Sequence, residues 1–348
     1  MTRVLAVRLD SVGDVLLTGP AVRALAAHGA HVDLLASPLG AEAARLLPGV
    51  RDVLVHDPAW SGPEPAPLDA DSVADLVATL RARAYDVAVV FTSYHQSALP
   101  AAMIARLAGV PRVAGASEDY AGSLLDVRHR RVPGADDDGG PAGGHEVEAA
   151  LALAEAAGFT LPADDDRCLS VRAPAHRRTD LRSPYVVVHP GSAASTRGLP
   201  PELARGAVLA LAAAGYQLVV TGAASERALA AQVAGREAVD LAGTTDLTQL
   251  AGVLAGADAV LVGNTGPAHL AAAVGTPVVS LFAPVVPAAR WAPWGVPTVL
   301  LGDQHAACAL TRARTCPVAG HPCLSGVTVG QVVDAVADVS ARRQPCAS

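Results

Sequence analysis

The sequence contains no lysine: all 26 basic residues are arginine, against 33 acidic residues, which gives a formal net charge of −7. A protein that binds nucleic acid needs a cationic face, so this balance argues against nucleic acid as a partner. Aromatic residues are also scarce, with three Trp, five Tyr and three Phe in 348 residues, although 51% of the residues are hydrophobic. The core must therefore consist of Ala, Val and Leu, and disorder along the whole chain is excluded.

The chain also lacks a long uninterrupted apolar run. Arg3, Arg8 and Asp10 interrupt the early hydrophobic stretch, so the sequence predicts a cytoplasmic protein without a signal peptide. Residues 206–224 carry no formal charge, but residues 215–217 divide them. This pattern favours a helix followed by a buried strand over a transmembrane segment.

Short apolar segments alternate with Ala- and Leu-rich segments of helical length. This alternation predicts buried parallel strands joined by helices, which is an α/β fold with helices on both faces of the sheet. The first half has predicted strands at 4–9, 31–36, 52–56, 86–91 and 112–115 and helices at 14–27, 71–82, 97–108 and 145–157. The second half has predicted strands at 185–189, 217–222, 238–241, 259–262, 277–282 and 298–301. The chain is therefore predicted to contain two similar doubly wound domains.

Residues 161–184 are the predicted linker, because this region has several prolines, opposite charge runs and little periodicity. The predicted domains are 1–160 and 185–327, and residues 328–343 form a final helix. Two doubly wound domains place a cleft between the carboxyl ends of their sheets, where ligands generally bind. Functional residues are therefore expected in the loops that follow strands.

The loop after the first predicted strand runs from Arg8 to Asp14. Gly13 permits a sharp turn into the helix, and Asp14 then lies at the helix N-terminus, where its carboxylate can accept a proton from an incoming hydroxyl. The alternative is that Asp14 or Ser11 only caps the helix. No GxGxxG motif is present here, which argues against a dehydrogenase that uses a dinucleotide.

Residues 189–200 form a loop of small and hydroxyl residues that contains Ser192, Thr196 and Arg197. Small residues let backbone amides approach an anion, hydroxyls donate hydrogen bonds, and arginine binds phosphate through two nitrogens. This composition predicts a site for a diphosphate. The alternative is a plain Gly/Ser turn.

Two further loops of the second half point to the same ligand. Residues 263–270 follow a strand and open an Ala-rich helix, so their amides can join the phosphate site, although His269 is also compatible with an ordinary helical histidine. Glu226 is placed to meet ribose hydroxyls or to act as an acidic residue in a first helical turn. Together the three loops predict a site for a nucleoside diphosphate.

Four segments stand out together: SVGDVLLTGPAVRAL, HPGSAASTRGLP, TGAASER and GNTGPAHLAAAVGTPVVSLFAP. Over residues 3–340 the chain resembles family 9 glycosyltransferases, the ADP-heptose heptosyltransferases of lipopolysaccharide assembly and their relatives. The resemblance implies the GT-B fold, in which two Rossmann-like domains face each other across a cleft, and a final helix that packs on the first domain. It also implies inverting transfer without a metal or other cofactor, from ADP-heptose to a glycan, lipid-linked or natural-product acceptor.

The resemblance assigns roles to individual residues. Asp14 matches the general base, Arg197 stands where the family usually has a lysine on the donor phosphate, and Glu226 matches a glutamate on the nucleoside side. The predicted donor-binding residues are Ser192, Thr196, Arg197, Glu226, Asn264, Thr265, Gly266 and His269. The predicted acceptor-side residues are Arg8, Asp10, His95 and Gln96.

The chain also departs from the family pattern. Asn264 replaces an aspartate of the phosphate motif, which removes a negative charge beside the donor, and residues 93–97 contain no lysine where lipopolysaccharide enzymes often have a basic segment. Two alternative functions follow. One is a nucleotide-sugar binding or regulatory protein without turnover, and the other is a GT-B sugar-nucleotide epimerase or hydrolase.

Five residues near the C-terminus form a cluster in sequence, His305, Cys308, Cys316, His321 and Cys323. Their spacing lacks the paired CxxC pattern of common zinc sites, so free thiols are expected and a structural zinc site is the alternative. An odd total of five cysteines in a reducing compartment does not predict a disulfide framework.

Overall fold

The computed structural model describes residues 1–62, 64–131, 144–172 and 181–342. Contacts between residues divide the chain into two compact units, Met1–Arg172 and Ala173–Ser348. This division falls inside the predicted linker, whose residues 173–180 lie outside the described part of the chain.

The first part of the predicted linker packs on the first unit. Arg23 donates to both oxygens of the Asp165 carboxylate at 2.7 Å, and the amide of Arg172 donates to the carbonyl of Leu46 at 2.7 Å. These bonds explain why residues 161–172 belong to this unit despite their irregular sequence.

The first unit is built on one parallel sheet of six strands. Its strands are β1 (Arg3–Arg8), β2 (His31–Ala36), β3 (Val50–Val55), β4 (Val87–Val90), β5 (Arg112–Ala116) and β6 (Val127–His129). Its helices are α1 (Val12–Leu17), α2 (Gly19–Ala26), α3 (Ala41–Leu46), α4 (Ala70–Arg83), α5 (Leu99–Leu107) and α6 (Glu146–Ala156). The strand order is β3-β2-β1-β4-β5-β6.

Strand β1 lies at the centre of this sheet because it is apolar on both faces. Val4, Leu5 and Ala6 have no exposed surface, as expected for a parallel strand that helices cover on both sides. Arg8 ends the strand, and its side chain is also buried, at the carboxyl edge of the sheet. The sheet therefore places a charged group among the loops that are expected to carry function.

The single predicted helix 14–27 is divided into α1 and α2 at Thr18. The Thr18 hydroxyl donates to the carbonyl of Asp14 at 2.9 Å, and Pro20, which has no N–H, lies in the first turn of α2. Helix α1 is therefore only six residues long, and it carries Asp14 in its first turn.

The second unit repeats this architecture. Its strands are β7 (Tyr185–His189), β8 (Gln217–Val220), β9 (Ala238–Asp240), β10 (Ala259–Gly263), β11 (Val278–Leu281) and β12 (Thr298–Leu301). Its helices are α7 (Pro201–Ala213), α8 (Arg227–Ala234), α9 (Leu247–Gly256), α10 (Gly266–Ala273), α11 (Ala288–Trp291), α12 (Pro322–Ser325) and α13 (Val329–Ala341). The strand order of the second sheet is β9-β8-β7-β10-β11-β12. It matches the order of the first sheet strand for strand, with β7 in the place of β1.

Helix α13 packs within the second unit. The sequence predicts that this helix packs on the first domain. In the structure its buried residues Val332, Val336 and Val339 belong to the core of the second unit, and the helix contacts α7 and β11. These valines recur at helical spacing, so they form one apolar stripe that matches the apolar surface of this sheet.

Within the described residues, no helix combines the length and the apolar character that a membrane crossing requires. The uncharged segment 206–224 lies partly in α7 and partly in β8, as its sequence predicts.

Candidate functional site

Asp14 lies at the carboxyl edge of the first sheet, in the first turn of α1. Its Oδ2 accepts a hydrogen bond of 2.8 Å from the Ser11 hydroxyl, and its Oδ1 lies 3.3 Å from Nη2 of Arg8. Ser11 occupies the N-cap position but forms no side-chain capping bond. Ser11 and Arg8 thus orient this carboxylate, and the side chain of Asp14 remains 19% exposed.

Arg8 lies at the centre of a buried group of charges, which we call the Arg8 cluster: Arg8, Asp10, Asp14, Arg131 and Glu146. Its Nε lies 2.9 Å from Asp10, and its Nη2 lies 3.9 Å from Glu146. Burial lowers the pKa of Arg8, but Asp10, Asp14 and Glu146 raise it above its ordinary value. The guanidinium therefore stays charged and holds the carboxylates around it.

Gln96, an acceptor-side prediction, is part of the same network. Its amide nitrogen donates to Asp10 at 2.5 Å and to the Ser61 hydroxyl at 3.2 Å, and its oxygen accepts from the amide of Ser93. Burial raises the pKa of Asp10 above its ordinary value, and although Arg8 opposes this effect, Asp14 adds to it. His95 is exposed and meets Tyr94 edge-on, with 5.4 Å between ring centroids.

Glu146 and Arg131 lie outside the set of site residues that the sequence predicts. Glu146 is only 3% exposed, and its Oε1 lies 3.9 Å from Nη1 of Arg131. Ser93 was also missed as a contact, and its hydroxyl accepts a 3.0 Å bond from Arg8. In the sequence Glu146 is an ordinary acidic residue at a helix start, and only the fold brings it to Arg8.

In the second unit, Glu226 folds back over the start of the loop 189–200. Its Oε2 accepts a 2.7 Å bond from the amide of Ala223 and lies 3.8 Å from Nε2 of His189. A Cβ atom at Gly191 would lie 2.1–2.5 Å from the Glu226 carboxylate, so only glycine leaves room for it. Burial lowers the pKa of His189, with an opposing effect from Glu226, and its Nδ1 is paired with the hydroxyl of Thr221 at 3.0 Å.

Two of the predicted phosphate residues of this loop, Thr196 and Arg197, lie on a short turn, Ser195–Arg197, which Ser192 precedes. Thr196 is fully buried, and its hydroxyl donates to the carbonyl of Ala313 at 2.8 Å. This hydrogen bond holds the loop in place. The Ser192 hydroxyl accepts from the amide of Ala194 at 3.2 Å, which leaves its own proton available for a ligand.

The loop after β10 lies directly against this turn. A Cβ atom at Gly263 would lie 1.8 Å from the carbonyl oxygen of Arg197, so the two predicted donor loops are in contact. Thr265 forms the N-cap of α10 without a side-chain capping bond, and within the described residues its buried hydroxyl has no hydrogen-bond partner. Gly266 is the first residue of α10, and His269 is buried one turn later.

Asn264 is 5% exposed and pairs with the backbone of one residue. Its Nδ2 donates to the carbonyl of Ala283 and its Oδ1 accepts from the amide of Ala283, both at 3.2 Å. The side chain thus joins the carboxyl ends of β10 and β11.

The cysteine cluster brings two thiols together. Sγ of Cys308 lies 4.0 Å from Sγ of Cys323, and burial, together with Cys308, raises the pKa of Cys323 to about 12. Cys316 donates to the carbonyl of Val318, and Nε2 of His321 donates to the carbonyl of Thr196 at 3.0 Å. Across the described part of the chain, no three His, Cys, Asp or Glu side chains are grouped so that they could hold a metal ion.

Comparisons with known proteins agree with this architecture. The profile of glycosyltransferase family 9 (heptosyltransferase) matches residues 73–321. Lipopolysaccharide heptosyltransferase 1 of Pseudomonas aeruginosa is 31% identical over 340 aligned residues, which cover 90% of this chain and 87% of that protein.

Two solved structures show the likeness of fold. The structure of E. coli ADP-heptose lps heptosyltransferase II superposes with a TM-score of 0.73 at 20% identity, covering 98% of this chain and 99% of that chain. E. coli heptosyltransferase WaaC with ADP-2-deoxy-2-fluoro heptose superposes with a TM-score of 0.70 at 22% identity, covering 97% of this chain and 99% of that chain. The predicted GT-B class of α/β fold is confirmed, and the chain belongs to glycosyltransferase family 9 and is a glycosyltransferase.

Proposed function

We propose that this glycosyltransferase moves heptose from ADP-heptose to an acceptor hydroxyl with inversion and without a metal ion. The observation that carries the proposal is the Asp14 carboxylate, which Arg8 and Ser11 orient while it remains partly exposed at the end of β1. The names of the similar heptosyltransferases support the donor, since one is an ADP-heptose enzyme and another was solved with a fluorinated ADP-heptose.

In the proposed reaction Asp14 is the general base. Its carboxylate takes the proton of the acceptor hydroxyl while that oxygen bonds to the anomeric carbon. The bond from the anomeric carbon to the diphosphate breaks on the opposite face, and its electron pair leaves with ADP. Inversion follows because attack and departure take place on opposite faces.

The donor is proposed to bind at the loops of the second unit. The buried Thr265 hydroxyl, the amides at the start of α10 and Arg197 would meet the diphosphate, and they stabilise the charge that grows on it as the bond breaks. Glu226, held by Ala223 and covering Gly191, would accept hydrogen bonds from the ribose hydroxyls. This arrangement replaces the charge stabilisation that a divalent ion supplies in other transferases.

The acceptor is proposed to be a hydroxyl of a glycan, a lipid-linked saccharide or a natural product in the cytoplasm, and it would meet the first unit at Asp10, Gln96 and His95. Residues 93–97 carry no lysine or arginine, which disfavours a strongly anionic acceptor.

The test of this function is the variant Asp14→Asn. We expect a loss of about 100-fold or more in transfer, because general-base catalysis contributes about 10²- to 10⁴-fold, with the affinity for ADP unchanged by calorimetry. The matched control is Asp71→Asn, an exposed aspartate in the first turn of α4. Transfer by Asp14→Asn at the wild-type rate would remove Asp14 from the mechanism.

The donor and the metal independence have separate tests. ADP should raise the melting temperature more than UDP or GDP, because a ligand that binds the native state stabilises it. Transfer should survive EDTA. A tenfold preference for UDP or GDP would overturn the donor, and loss of activity on chelation with recovery on adding one divalent ion would overturn metal independence.

A further inference from the structure

Glu146 is a buried carboxylate that lies beside Arg8, the arginine that also contacts Asp14. It opens α6 after the capping residue His145, and it is 3% exposed. One of its oxygens lies 3.9 Å from Arg8, and the other lies 3.9 Å from Arg131. Burying a charge is costly, and an ion pair of this kind is often replaceable by apolar residues without loss of stability. Stability alone therefore does not account for this glutamate.

The charges of the Arg8 cluster are unequal. Within these five residues, two arginines face three carboxylates. Arg8 contacts all three carboxylates at once, whereas Arg131 contacts only Glu146 within the cluster. Asp10 and Glu146 therefore compete with Asp14 for the positive charge of Arg8.

We propose that Glu146 is a positioning residue that acts through Arg8: it fixes the guanidinium beside Asp14 and keeps that carboxylate basic by adding a further negative charge, besides that of Asp10, next to the same arginine. The proposal rests on the proposed role of Asp14 as the general base. A carboxylate paired with an unshared arginine loses proton affinity, because the opposite charge favours its ionised form. Glu146 limits this effect while Arg8 still orients the carboxylate.

The sign of the effect follows from the cluster. Glu146→Gln removes one negative charge near Arg8, so Asp14 should bind its proton less tightly and become the weaker base. Arg131→Gln removes the positive charge on the other side of Glu146, so Asp14 should bind its proton more tightly. The other ionisable group in contact with Arg8 is Asp10, which is unchanged in both variants.

The experiment is a titration of the Asp14 carboxyl carbon by ¹³C NMR, with its signal assigned by its absence in Asp14→Asn. We expect Glu146→Gln to lower the midpoint by about one pH unit, a tenfold change in proton affinity, and Arg131→Gln to raise it. The control is Glu155→Gln, an exposed glutamate on the same helix, which should leave the midpoint unchanged. Equal midpoints in wild type, Glu146→Gln and Arg131→Gln would overturn the inference, and Arg131→Gln alone decides it if Glu146→Gln does not fold.

The pH profile of transfer separates this inference from the proposed function. If both hold, the acidic limb of kcat moves to lower pH in Glu146→Gln together with the NMR midpoint. If Asp14→Asn retains transfer while the midpoint still moves, the role of Asp14 as base is wrong and the coupling stands. If the midpoint moves and the acidic limb does not, Glu146 has no part in the reaction and the inference is overturned.

Discussion

Asn264 and Ala283 exchange two hydrogen bonds, so that one side-chain amide satisfies both backbone groups of a residue on the neighbouring strand end. An aspartate at this position accepts from the amide of Ala283 but cannot donate to its carbonyl. Asn264 is therefore matched to the backbone that it joins, because its amide both donates and accepts.

The variant Asn264→Asp should therefore be less stable. It leaves a buried carbonyl unpaired and places a charge beside it, and we expect a loss of about 1–3 kcal/mol in the free energy of unfolding, measured by denaturant titration. Asn264→Ala is the matched variant, because it removes both bonds without adding charge and should lose less. A stability of Asn264→Asp equal to that of wild type would show that the pairing contributes little.

Gly191→Ala should weaken nucleotide binding. Its Cβ atom would overlap the Glu226 carboxylate and displace it from the position that Ala223 holds. We expect at least a tenfold weaker affinity for ADP, about 1.4 kcal/mol, by calorimetry. The control is Gly326→Ala, whose Cβ would lie 3.7 Å from its nearest neighbour, the carbonyl of Pro322, which is ordinary contact. If both variants bind ADP like wild type, the position of Glu226 does not matter for the nucleotide.

Acidification should destabilise the protein partly through His189. Burial lowers the pKa of His189, so as the pH falls from about 7.5 to about 5.5 the unfolded chain takes up this proton first and the free energy of unfolding decreases. Its contribution is present above the unfolded pKa and is lost at lower pH. His189→Asn should lose less stability over this range, by up to about 1.4 kcal/mol for each unit between the two pKa values.

Two other histidines serve as an internal reference for that measurement. Burial also lowers the pKa values of His56 and His129, and both remain in the variant, so their contributions cancel in the comparison. Parallel curves of unfolding free energy against pH for wild type and His189→Asn would contradict the prediction.

Helix α13 should be required for the stability of the second unit. Val336→Ala removes two methyl groups from a fully buried position and should cost about 2 kcal/mol in the free energy of unfolding, from lost burial and the cavity left behind. Val333→Ala, one turn away and only partly buried, should cost less. The opposite ranking would show that the stripe of valines is not the packed face.

Much of the fold follows from the sequence, because buried parallel strands are continuous apolar runs. The predicted strands 31–36 and 298–301 have the bounds of β2 and β12. Strand β6 was missed, since its three residues are half-buried at a sheet edge and include Arg128 and His129. Helix α3 was missed because six residues give too short a pattern for helical periodicity.

The candidate site was predictable where it depends on position relative to a strand. Asp14, Thr265 and Glu226 were found because each follows a strand, and ligands gather at that end of such sheets. Glu146 was not found, since its importance comes from a contact with a residue near the other end of the same unit. The sequence also could not predict that the Thr196 hydroxyl holds its loop in place, because its hydrogen-bond partner Ala313 lies far along the chain.

The two sheets share one strand order, and each carries a hydrophobic core of its own, so the units differ chiefly in what their strand-end loops present. Mutations in the loops of one sheet can then accumulate without disturbing the packing of the other. If the acceptor meets the first unit and the donor the second, as proposed, the choice of acceptor and the choice of donor become traits that can be inherited separately. A hybrid joined after Arg172, with a first unit from one relative and a second from another, would test whether two specificities can be recombined in one chain.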